Sequence, residues 1–67
     1  MTGHVYKSIE ITGSSTENPT DAIRSALAKA SETIRNVEWF EVLSTRGHVA
    51  DDVTYFQVTL KVGFRLE

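Results

Sequence analysis

A chain of 67 residues is read as one domain over 1–67, with 40% hydrophobic and 24% charged residues, the ordinary balance of a soluble globular protein. A formal net charge of -2 lacks the basic excess of a general nucleic-acid binder, and the lack of Cys excludes a disulfide framework and thiolate chemistry. No apolar run approaches the ~20 residues that span a bilayer, and no charged start leads into an apolar signal segment, so a cytoplasmic location is expected. Size adds a constraint: ordering costs roughly 1.5 kcal/mol per residue, which so small a core barely offsets. Contacts between subunits are therefore expected.

Residues 4–12, HVYKSIEIT, alternate as a strand. Val5, Ile9 and Ile11 share one face with Lys7 as the exception, and Tyr6, Ser8, Glu10 and Thr12 share the other. GSSTENP follows as a loop, in which Ser14 and Glu17 have capping-box spacing and Pro19 fits only a first helical turn. From Thr20 to about Arg35 the period lengthens: Ile23, Ala26, Leu27, Ala30 and Ile34 make the stripe of one amphipathic helix. Ala22, Ala26 and Ala30 are small enough to let that helix lie close on a sheet. Residues 37–49 read as a second extended run. Ala50 to Asp52 reads as a three-residue connection into a third strand, in which every even position from Phe56 to Leu66 is apolar. The order strand, helix, strand, strand predicts an α+β fold, β-α-β-β, with a three-stranded antiparallel sheet wrapped on one helix.

The third strand decides which neighbour in Trp39-Phe40 is buried. Residues opposite each other in an antiparallel pair share a face. If Val49 lies opposite Val53, even residues face even residues, Phe40 and Val42 join the core under the helix, and Trp39 lies opposite Gly63 on the other face, with Tyr55, Gln57 and Arg65. One helix cannot cover both faces. Trp39 then packs against another subunit or offers a platform to a flat ligand, two readings that are compatible. In this register Gln57 faces Thr45, six places from Trp39, so roughly 20 Å separates Trp39 from Gln57. A small ligand touching both needs two subunits or sharply bent strands.

Other chemistry is weakly supported. His4 and His48 have no carboxylate or Cys partners at metal-ligand spacing, and Asp51 and Asp52 suit a turn better than a calcium site. GSST lacks the rest of a phosphate loop. Glu38 and Glu41 fall on opposite faces under simple alternation and make no catalytic carboxylate pair. No nucleophile triad can be assembled, and nothing here demands an enzyme.

WFEV at 39–42, RGH at 46–48, FQVTLKVGFRLE at 56–67 and AIRSALAKA within the helix together resemble the dodecins over essentially the whole chain. That resemblance implies a β-α-β-β flavoprotein whose twelve copies form a hollow homododecamer that stores or sequesters flavin without catalysing a reaction. It implies that Trp39 stacks on an isoalloxazine ring at a two-fold axis between subunits. It implies also that Gln57 hydrogen-bonds the polar edge of that ring, for which an amide supplies both donor and acceptor. Arg46 and Arg65 match positions near the pocket, as contacts to a flavin phosphate or as ion pairs between subunits. Simple alternation puts Arg46 on the wrong face, so it needs a bulge or a neighbouring subunit. FMN is the implied flavin, with riboflavin and FAD as alternatives. Coenzyme A is an implied second ligand, with Tyr6 and Lys29 as contacts.

The leading reading is thus FMN storage and photoprotection by a homododecamer. A protein-interaction module that docks a partner on its outward Trp face is the alternative from a different class. An enzyme acting through bound flavin is third, and the sequence offers it no proton donor.

Overall fold

The computed structural model describes residues 3–67. Four elements follow one another: β1 (Tyr6–Ser15), α1 (Pro19–Ser31), β2 (Val37–Ala50) and β3 (Val53–Arg65). The strands make one open antiparallel sheet in the order β1-β3-β2, with the helix on one face. This is the expected β-α-β-β, α+β arrangement.

The helix and its entry are set by small residues and caps. β1 runs to Ser15, three residues past the expected end, because Gly13, Ser14 and Ser15 continue the pairing opposite Val58, Gln57 and Phe56. A Cβ on Gly13 would collide with the Ala22 carbonyl oxygen and press on the Ala26 methyl. Glycine there therefore sets how closely the helix approaches. The N-cap is Asn18, not Ser14: its Oδ1 accepts from the Asp21 amide at 2.7 Å. Ser15 donates to Asp21 Oδ2 at 2.7 Å and accepts from the Glu17 amide at 2.9 Å, tying the end of β1 to the helix start. The helix ends at Ser31, earlier than the apolar stripe predicts. The amides of Thr33 and Ile34 both turn back to the Ala30 carbonyl, and Asn36, at φ 64, redirects the chain into β2.

The hairpin is tighter than expected. Ala50 pairs with Val53, leaving a two-residue loop in which Asp51 and Asp52 have φ of 50 and 66. Two consecutive left-handed residues give the turn whose twist matches a right-twisted hairpin, and Asp tolerates them. Two irregularities in β2 then matter more than the turn. Leu43 is an extra residue between the pairs Val42–Leu60 and Ser44–Thr59, and Glu38 is another between Val37–Phe64 and Trp39–Gly63. Between these two bulges Trp39 lies opposite Gly63 and Phe40 opposite Val62, as expected; beyond Leu43 the register moves by one.

Val58, Leu60 and Val62 of β3 are fully buried beneath Ala22 and Ala26, with Ile9, Ile11, Ile23, Leu27 and Val37 around them. The expectation that Phe40 and Val42 are buried under the helix is not met. They share the helix-side face, but α1 packs on β1 and β3, and Phe40 and Val42 remain 45% and 44% exposed. Replacing Gly13 by Ala sets a methyl against helix backbone, an overpacking that costs about 1–3 kcal/mol. A urea-denaturation midpoint well below that of the unsubstituted protein is expected; an unchanged midpoint would contradict the close approach.

Candidate functional site

The face of the sheet turned away from the helix is built row by row on β3. Gly63 lies between Ser8 and Trp39, Lys61 between Glu10 and Glu41, Thr59 between Thr12 and Ser44, and Gln57 between Ser14 and Arg46. Tyr55 lies opposite His48 near the hairpin end, their ring centroids 6.0 Å apart. No element of the chain crosses this face among the described residues.

Trp39 dominates one end. Its indole lies directly over Gly63: a Cβ on that glycine would collide with the ring at Cε2, Cζ2 and Nε1. The lack of a side chain at position 63 thus makes the seat for the ring. The indole is supported from below, yet Trp39 is 38% exposed. Tyr6 stands beside it with ring centroids 6.4 Å apart and planes at 63°, an edge-on contact.

Glu38 ties this end together. As the extra residue of its bulge it reaches the face of Tyr6 and Arg65, which are themselves paired across β1 and β3. Tyr6 Oη donates to Glu38 Oε1 at 3.1 Å, and Arg65 Nη1 approaches Glu38 Oε2 at 3.6 Å. Simple alternation put Glu38 and Glu41 on opposite faces; the bulge cancels that alternation, and Glu38 joins the Trp39 side. The hydrogen bond to the Glu38 carboxylate pushes the Tyr6 phenol above its ordinary range. Desolvation and the Glu38 charge add to this, and the Arg65 charge opposes it.

At the other end, the two-residue turn, which pairs Ala50 rather than Val49 with Val53, changes the expected partners. Gln57 faces Arg46 rather than Thr45, which places Arg46 on the Trp39 face without help from another subunit. Gln57 is half-buried and Arg46 exposed. Trp39 and Gln57 remain six positions apart along β3, roughly 20 Å at the rise of an extended strand. The structure therefore puts Trp39, Gln57, Arg46 and Arg65 on one face, in two groups. Arg65 belongs with Trp39 and Arg46 with Gln57. Lys29 lies elsewhere, at a cleft of about 440 Å³ between α1 and β1 lined by Ile9, Ile11, Ala26, Ala30 and Ile34. It pairs with Glu32 at 3.7 Å on the helix surface. Tyr6 faces the opposite side of the sheet, so Tyr6 and Lys29 do not converge within one chain.

Two contacts of the candidate site escape a reading of the sequence. The outward parity of Tyr6 is visible, but its meeting with Trp39 depends on the β1–β3 register, which no local signal fixes. The Glu38 contact depends on a bulge that no Gly or Pro marks.

The dodecin family model matches residues 5–67. The chain belongs to the dodecin family. A curated dodecin from Thermus thermophilus is 48% identical over 66 residues, covering 97% of this chain and 96% of that protein. The structure of dodecin from Streptomyces coelicolor aligns with a TM-score of 0.91 at 43% identity, covering 100% of this chain and 97% of that one. A Thermus thermophilus dodecin in which a Trp is replaced by Phe aligns with a TM-score of 0.89 at 47% identity, covering 97% and 98%. The β-α-β-β topology is that of these dodecin structures.

The direction of the Tyr6 shift makes a sign prediction. A raised phenol contributes stability that is fully present below the ordinary Tyr range near 10 and is lost as pH rises through the higher folded value. With Tyr55 replaced by Phe, Tyr6 becomes the only phenol, since the chain has two Tyr. Ultraviolet titration of that protein should show Tyr6 ionising above the ordinary value, and Glu38→Gln should bring the midpoint down. A midpoint insensitive to Glu38→Gln would remove the hydrogen bond as the cause.

Proposed function

We propose that this dodecin binds FMN at sites shared between copies of the chain, and that it stores and shields the flavin rather than catalysing a reaction. The observation that carries the reading is the seat of Trp39: a flat ring laid on a glycine, supported from below, with its other face open. These residues fit an isoalloxazine. The indole offers an apolar surface for stacking, and the half-buried Gln57 amide offers one donor group and one acceptor for a pyrimidine-like edge. Riboflavin and FAD carry the same ring and are admitted by the same argument.

The separation of the two groups supports a shared site. Trp39 and Gln57 cannot grip one ring from one chain at roughly 20 Å, so Trp39 of one copy works with Gln57 of another. Phe40 and Val42, exposed on the helix side of β2, give the assembly a second surface to bury. The proposed assembly is a homododecamer. Arg46, beside Gln57, is the cation placed to meet a phosphate. Coenzyme A is proposed as a second ligand, with Lys29 at the mouth of the α1–β1 cleft as its contact.

When bound, an isoalloxazine supplies a redox-active and light-sensitive ring. The electron-rich Trp39 indole would hold that ring by stacking and would be the residue able to quench its excited state, and the stacked surface would exclude water from it. Among the described residues no group of His, Cys, Asp or Glu is arranged to hold a metal. The Glu38 carboxylate beside Trp39 is engaged by Tyr6 and Arg65.

A titration that follows flavin fluorescence tests the reading: FMN emission should be quenched as protein is added, and unquenched FMN at high protein concentration would defeat it. Trp39→Ala should weaken binding by ~1–3 kcal/mol, the range of base-on-aromatic stacking. A relative folds with its Trp changed to Phe, which supports the use of such variants. Light scattering should give about twelve chain masses of 7.5 kDa each, and a single chain mass would refute the shared site.

A further inference from the structure

The seat on Gly63 fixes how low the indole sits but not its rotation. A Trp side chain turns about two bonds, and 38% of this residue faces solvent. The floor is a glycine, which has no side chain to act as a stop. What stands against the ring is Tyr6, on another strand, edge-on at 6.4 Å and 63°. Tyr6 is itself 42% exposed and would swing freely without an anchor of its own. That anchor is Glu38, which accepts from its hydroxyl at 3.1 Å and is drawn from the other side by Arg65 at 3.6 Å.

The three residues come from three strands. Tyr6 lies on β1, Glu38 in the bulge of β2 and Arg65 on β3, and Trp39 adjoins Glu38 in sequence. The chain of contacts therefore closes on itself: indole against phenol, phenol on carboxylate, carboxylate on guanidinium, carboxylate next in sequence to indole. Such a closed set restrains every member, whereas each contact alone is an exposed pair of little consequence.

We propose that Tyr6 is a positioning residue for the Trp39 platform, braced by Glu38 and Arg65, and that these three set the angle at which the indole meets its ligand. The proposal rests on the reading of Trp39 as a stacking wall. It gives Tyr6 a place at the flavin site rather than at the second ligand. It also makes Arg65 a brace whose charge is spent on Glu38, leaving Arg46 as the cation for a phosphate.

Two measurements separate this from its alternatives. Trp39 is the only Trp, so the anisotropy decay of the ligand-free protein reports that one ring. Tyr6→Leu should enlarge the fast component of the decay and weaken FMN binding several-fold, up to about tenfold. Tyr6→Phe, which keeps the edge and loses the anchor, and Glu38→Gln should fall between. These two milder variants carry the test if Tyr6→Leu does not fold. An unchanged decay across the set overturns the brace, and a faster decay with unchanged FMN affinity overturns its role in binding. If the unsubstituted protein takes up no flavin, the flavin reading fails by itself and the decay alone decides the brace. The second measurement concerns Arg65. Riboflavin lacks the phosphate of FMN, so Arg65→Ala should weaken both by the same factor. A loss confined to FMN would overturn the brace assignment and make Arg65 a phosphate contact.

Discussion

One helix cannot cover this sheet. Thirteen residues of α1 extend about 20 Å, whereas the thirteen residues of β3 extend about 43 Å. The chain measures 54 × 21 × 14 Å, long and thin. The helix therefore protects only the middle of β3 and the neighbouring part of β1, where Val58, Leu60 and Val62 meet the alanines. The hairpin end, the helix side of β2 and the whole opposite face are left to something else. A chain of this size has little margin for exposed Phe, Val and Trp. In the proposed assembly, further copies and a flat ligand would cover them, which would answer the stability problem and make the binding site at once.

Glycine sets the geometry on both sides of that sheet. Gly13 lets α1 approach β1 until the alanine carbonyl and methyl occupy the space a Cβ would need. Gly63 does the same for the Trp39 indole on the outer face. These positions need no unusual backbone, since neither glycine has positive φ. They need the absence of a side chain. Close packing on one face thus holds the fold together, and close packing on the other prepares a platform. The two depend on one strand, because Gly63 immediately follows Val62 of the core.

How much of this could be read beforehand divides along one physical line. Alternation over Phe56 to Leu66 is unbroken, so β3 and its two faces were legible. The place of Trp39 opposite Gly63 was reached by a count in which two errors cancel, since the tighter turn shifts the register by one and the extra Leu43 shifts it back. The helix was legible from the spacing of Ile23, Leu27 and Ile34, although its end was not: the stripe continues to Ile34 while the backbone has already left the helix at Ser31. What failed was whatever depended on counting across β2. Two extra residues, Glu38 and Leu43, carry no Gly or Pro to mark them, and each cancels the parity beyond it. The same count hid the tight Asp51–Asp52 turn, which displaces the register by one at the hairpin end. The burial of Phe40 and Val42 failed for a different reason. Parity assigns a residue to a face, but only the length and placement of the helix decide whether that face is covered.

The bulges that defeated the count are also what assemble the site. Without the extra Leu43, the register set by the Asp51–Asp52 turn would put Trp39 opposite Phe64, on the helix side. With it, Trp39 shares a face with Arg46 and Gln57. Without the extra Glu38, its carboxylate would follow the alternation of the strand and point away from Tyr6 and Arg65. A bulge gives up ladder hydrogen bonds and leaves one residue unpaired, so two in fourteen residues weaken β2 as a strand. That loss falls where the helix gives no cover, on the strand most dependent on outside contacts. β2 is thus the strand with two breaks in its pairing and with the least cover from the helix. Regular pairing would make a stronger strand; the two irregularities are what bring Trp39 onto the face of Arg46 and Gln57, and Glu38 onto the face of Tyr6.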